Sequence, residues 1–117
     1  MARNYGLFWC KWSKKQVING CTVYVDTERV TKRNLAKHLL REEFTQTLGL
    51  MNDMPTHSDS IFYNSYSETE VLSQLDKRLV CFLYSDKLKP GIGPSEIRKI
   101  YRKAKRNLVR QNFDPCI

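Results

Sequence analysis

The chain has 117 residues, of which 41% are hydrophobic and 27% charged, so disorder is excluded as a description of the whole. No apolar run approaches the length of a membrane-spanning helix, and no basic stretch followed by an apolar one opens the chain, so neither a transmembrane segment nor a signal peptide is expected. The net charge of +8 is unevenly placed: residues 87–111 hold nine basic side chains against the single acid Glu96, and the remainder balances.

The length suits one domain over residues 1–117, beginning with a β hairpin across residues 3–30. Residues 5–12 (YGLFWCKW) are dense in aromatics and read as a strand. Residues 13–20 read as a turn. Residues 21–26 alternate, with Cys21, Val23 and Val25 on one face and Thr22 and Tyr24 on the other, so an antiparallel partner is predicted. Cys10 and Cys21 then fall on paired strands with an open register. The four cysteines, Cys10, Cys21, Cys81 and Cys116, form no C-x-x-C pair and no zinc-finger spacing. They permit two disulfides in any of three connectivities, or buried thiols.

Residues 31–50 read as a helix capped by Thr31, with an apolar stripe of Leu35, Leu39, Leu40, Phe44, Thr47 and Leu48 and a terminating Gly49. Residues 51–66 form a long loop. Ser67-Glu68-Thr69-Glu70 has the pattern of a capping box, and a helix is predicted over residues 67–86. After the break Lys89-Pro90-Gly91-Ile92-Gly93-Pro94, Ser95 opens a third helix over 95–111, with the stripe Ile97, Ile100, Tyr101, Ala104 and Leu108. Its other faces carry Arg98, Lys99, Arg102, Lys103, Lys105, Arg106 and Arg110. Such a face serves solubility, or attaches to an anionic membrane or envelope surface, or, less favoured because no aromatics interleave with it, to nucleic acid.

The chemically informative stretch is Glu42-Glu43-Phe44-Thr45-Gln46-Thr47-Leu48-Gly49-Leu50-Met51-Asn52. Metzincin zinc peptidases use H-E-x-x-H-x-x-G-x-x-H, where two ligands share a helix face, the Glu polarises a metal-bound water and the Gly lets the third ligand return. This chain resembles that spacing with every histidine replaced. Glu42, Gln46 and Asn52 stand at the ligand places, Glu43 at the place of the base, and Gly49 at the turn. The same spacing suits an ordinary amphipathic helix ended by Gly.

Residues 40–93 also resemble an uncharacterised bacterial family of unknown function. The shared pattern runs R-E-E-x-T-Q-x-L-G-L-x-N-D, then an S-D-S-I-F element, an L-x-x-L-D element containing Asp76, and a K-P-G element. The resemblance implies membership of the zincin-like group. It also implies an extracytoplasmic setting, since several members look like secreted proteins or lipoproteins, and it carries no assigned activity. Ser60-Ile61-Phe62-Tyr63 resembles the S-I-M-x-Y turn below a metzincin metal, with Phe62 in place of the methionine. The helix after it resembles the one that follows that turn.

One carboxylate and two carboxamides make a poor zinc site, so neither zinc nor another divalent cation is expected, nor any other cofactor. Glu42, Glu43, Gln46, Asn52 and Asp53 remain as a polar cluster in which Gln46 and Asn52 are expected to hydrogen-bond across the former metal position. A displaced metal site from His38, Glu42 and His57 is a less favoured alternative. Glu42 and Glu43 point about 100° apart on a helix, which does not suit paired carboxylates straddling a glycosidic bond.

The sequence therefore predicts a reduced zincin-like α+β domain with a small antiparallel sheet and three helices. Its expected role is a non-catalytic binding or structural module. The alternatives are a metal-dependent hydrolase with Glu43 as general base and a basic nucleic-acid-binding module.

Overall fold

Alternation along the N-terminal segments produces an antiparallel hairpin, β1 (Gly6–Trp12) and β2 (Ile18–Val25), in a computed structural model that describes residues 5–111 and the side chains as far as Arg106. The register sets Gly6 opposite Val25, Phe8 opposite Val23 and Cys10 opposite Cys21, with an irregularity at Lys11/Trp12. β2 begins three residues earlier than the sequence predicts, because the turn is confined to residues 13–17. Ser13 N donates to Val17 O at 2.9 Å, and Gln16 takes the left-handed φ of 63°.

An isolated two-stranded sheet is marginal in water. Here a Cys10–Cys21 disulfide joins facing residues, and α1 (Arg33–Gln46) packs on both strands. The closed loop is short, and chain entropy assigns such a cross-link about 2–3 kcal/mol. Replacing both cysteines by serine should lower stability by that amount, read as a drop in Tm under non-reducing conditions.

α1 is shorter than predicted. Thr31 does not cap it. Lys32 occupies the N-cap position in extended conformation without a side-chain hydrogen bond, its ammonium instead pairing with Glu68. The helix stops at Gln46, and residues 47–49 turn through Gly49 at φ 120°, where a Cβ would lie 3.2 Å from Leu83 and 3.8 Å from Ile18. Only glycine meets both demands at that corner.

The second helix, α2 (Gln74–Leu83), starts seven residues later than the sequence predicts. The working capping box is Ser73 with Asp76. Ser73 Oγ accepts from Asp76 N at 3.1 Å, while Asp76 Oδ2 accepts from Ser73 N at 2.9 Å. Ser67 Oγ accepts only from Thr69 N, and residues 67–73 stay non-helical because Thr69 O is held by His38.

The third helix, α3 (Pro94–Gln111), begins on Pro94, whose fixed φ and missing N–H suit a first helical position. Of its stripe Ile97, Ile100 and Ala104 are half-buried, and the Leu108 side chain lies outside the described residues. Tyr101 is 51% exposed and meets Phe82 edge-on at 5.5 Å between ring centroids. The architecture is thus a small α+β fold of a two-stranded antiparallel sheet and three helices. No helix among the described residues is long and apolar enough to cross a membrane.

Apolar burial is sparse. Among the described residues the buried hydrophobic side chains are Val30, Ile61 and Phe62, while Asp26, His38, Glu43, Thr45, Gln46, Ser60 and Asp76 are buried polar ones. The radius of gyration is 16.0 Å, against about 13 Å for a compact chain of this length. Polar pairs and disulfides therefore carry a larger share of the cohesion than in an ordinary domain.

Candidate functional site

The periodicity of α1 predicts that Leu40 and Phe44 face the interior. The structure corrects this: Leu40 is 56% and Phe44 60% exposed, and the helix buries His38, Glu43, Thr45 and Gln46. Glu42 lies between His38 and Gln46 at four-residue steps, so the three share one face. Period alone identifies two faces; which one is covered depends on partners elsewhere in the chain.

Those partners are specific. His38 Nδ1 lies 2.6 Å from Thr69 O, which can only accept, and His38 Nε2 lies 3.1 Å from Glu42 Oε2. A ring donating from both nitrogens is an imidazolium. Burial works against that charge, but the bonds to Glu42 and Thr69 outweigh it and hold the His38 pKa above its ordinary value. At the end of the helix Gln46 Nε2 donates to Asp53 Oδ1 at 2.8 Å. Asn52 is exposed. The expected Gln46–Asn52 bond is therefore replaced by Gln46–Asp53, in which an ionised acceptor makes the stronger bond.

Glu43, expected from the sequence as the candidate base, faces β1. A Cβ on Gly6 would lie 2.9 Å from Glu43 Oε1, so the carboxyl rests directly on the strand backbone. Burial, followed by the negative charges of Glu42 and Asp53, pushes the Glu43 pKa up to about 7. Sequence reasoning missed Gly6. Its signal was a glycine inside a strand, which often marks close approach by another group.

The Ser60–Tyr63 segment forms a turn in which Tyr63 N donates to Ser60 O at 3.2 Å. It is fastened from above by Asp76, which is completely buried. Asp76 Oδ1 accepts from Ser60 Oγ at 2.5 Å, and Oδ2 accepts from Ile61 N at 2.9 Å. Phe62 N donates to Ser60 Oγ at 3.0 Å. Loop residue Met54 pairs alongside, donating to Phe62 O and accepting from Asn64 N.

His57, at φ 62°, is exposed and bonds its neighbour Thr56. Among the described residues no three His, Cys, Asp or Glu side chains gather as a metal-holding group, so His38, Glu42 and His57 do not form one. The donor set at the motif does not fit zinc either, since Glu42 is engaged by His38, Gln46 by Asp53, and Asn52 offers only a neutral carboxamide. Cys81 is disulfide-bonded, and Cys116 lies outside the described residues. Arg98, Lys99, Arg102, Lys103, Lys105 and Arg106 are all exposed; the Arg110 side chain lies outside the described residues.

The class so defined is a small α+β protein whose central helix buries a polar rather than an apolar face. The chain belongs to the family described as "Protein of unknown function (DUF2927)", which matches residues 3–103. No curated protein and no solved structure matches it.

Proposed function

We propose that the protein is a non-catalytic, zincin-like binding or structural module working in an extracytoplasmic setting. The observation that carries this reading is the engagement of the motif side chains with one another: His38 with Glu42, and Gln46 with Asp53. In a metallopeptidase the corresponding groups must be free to converge on a metal. Here they close the corner between α1 and the following loop, and so stand in for the cohesion a metal would provide. The cystine between Cys10 and Cys21 and the oxidised Cys81 support an oxidising compartment. The exposed basic residues of α3 suit a protein or envelope component bearing negative charge as partner.

One observation favours a hydrolase instead: Glu43 has the raised pKa of a general base. Glu43 is, however, a buried residue, 8% exposed, and its carboxyl lies against Gly6 of β1 rather than at an open surface. The two readings part on metal content. Protein purified without chelator and measured by mass spectrometry of its metals should hold far less than one zinc per chain. Stoichiometric zinc that disappears in Glu42→Ala would overturn the proposal in favour of the hydrolase.

A further inference from the structure

We propose that the tip of the hairpin, together with the loop before α3, is a docking surface for an anionic phospholipid bilayer. Residues 5–25 contain no acidic side chain, and both tryptophans of the protein fall within them. Trp9 is 50% exposed, Trp12 54% and Val17 46%, although indole and aliphatic side chains of this size normally find cover. Lys11, Lys14 and Lys15 stand exposed among them.

The tip is also rigid. Ser13 O accepts from Gln16 N at 2.9 Å, Val17 O accepts from Ser13 N at 2.9 Å, and Ser13 Oγ accepts from Lys15 N at 3.2 Å. Lys14 and Lys15 are therefore presented on a fixed turn, with little further ordering needed on binding. A second basic segment adjoins it. The Cβ position of Gly91 lies 3.8 Å from Gln16 Cγ, so the loop carrying exposed Lys87 and Lys89 rests on the tip. An open groove of about 380 Å³ is lined by Lys87 of that loop and by Ile100, Lys103 and Ala104 of α3. The acids of these segments, Asp86 and Glu96, are outnumbered.

Indole and aliphatic groups flanked by ammonium groups suit the boundary between headgroup and acyl chain, where the ring nitrogen reaches water and the ring body reaches hydrocarbon. Negative lipid charge attracts the lysines, each of which raises affinity about fivefold. The tryptophans and lysines alone would also suit a nucleic-acid strand; Val17 favours the bilayer, because an isopropyl group inserts into hydrocarbon and offers nothing to a base stack.

The two tryptophans make the test label-free, since their emission reports the hairpin alone. Sedimentation with vesicles of equimolar phosphatidylglycerol and phosphatidylcholine should carry the intact protein down and shift its emission to shorter wavelength, whereas pure phosphatidylcholine should do neither. Lys14→Glu/Lys15→Glu should weaken binding at least tenfold with an unchanged circular dichroism spectrum. Trp12→Ser/Val17→Ser should keep that spectrum and lose most of the emission shift. The proposal is overturned by absence of vesicle binding at low salt, by undiminished binding of the lysine variant, or by an oligonucleotide bound more tightly than the vesicles.

Discussion

Asp76→Ala is expected to destabilise the protein by about 3–5 kcal/mol, a large part of the 5–15 kcal/mol typical of a domain. The carboxylate is completely buried and accepts from Ser60 Oγ, Ile61 N and Ser73 N. Removing it strands two backbone N–H groups and a hydroxyl in a place water does not reach. It also releases the turn holding Ile61 and Phe62, two of the few buried apolar side chains, from the first turn of α2. Urea unfolding should show the loss as a lower midpoint, or as a chain already unfolded at room temperature. Asp76→Asn retains one acceptor oxygen but turns an NH2 group toward a donor, so a loss of about 2 kcal/mol is expected. Ser60→Ala should cost about 1–3 kcal/mol, and combined with Asp76→Asn it should fall short of additivity, because both break the same clamp. Additive losses would show that the two residues stabilise the protein separately.

The same clamp shows where sequence is legible and where it stops. The Ser-Ile-Phe-Tyr element and the Leu-Asp element each stand out as motifs, and both the turn and the helix exist. That they meet through Asp76, sixteen residues beyond Ser60, is a tertiary fact that no local rule contains. The hairpin was readable because alternation fixes the strand faces, and the 10/21 pairing followed once the turn length was set. Two capping boxes competed for the start of α2, and local chemistry does not separate Ser67–Glu70 from Ser73–Asp76. The choice is made by His38 holding Thr69 O and by the loop donors that converge on Asp76. For α1 the periodicity was real but pointed to the wrong face, because the interior offered carboxylate and carbonyl partners to His38 and Gln46 rather than apolar surface to Leu40 and Phe44. The contacts that Glu43 and Gly49 make, with Gly6 and Leu83, come from segments far away in the chain.

Glu43→Gln should make the protein more stable at neutral and alkaline pH. Burial, with Glu42 and Asp53 nearby, pushes the carboxyl pKa of the folded state to about 7, from a model-compound value of 4.5. Between those values the folded chain keeps a proton that the unfolded chain has released. Stability therefore declines as pH rises from about 4.5 and levels off above about 7. Glutamine fills the same space against Gly6 without the charge, so the variant should lack this decline. Any fixed difference in packing offsets its profile by a constant. The imidazolium of His38, which faces Glu42, titrates in both proteins and largely cancels from the comparison. Denaturant unfolding at a series of pH values should thus give curves for parent and variant that keep a constant offset below pH 4.5 and diverge progressively toward pH 7, the variant gaining on the parent. Curves parallel across that range would mean that Glu43 titrates normally, and that the pressure of Gly6 on its carboxyl is relieved by water. A steeper decline in the variant would mean that the ionised form is the one the fold prefers, which would return Glu43 to consideration as a working base.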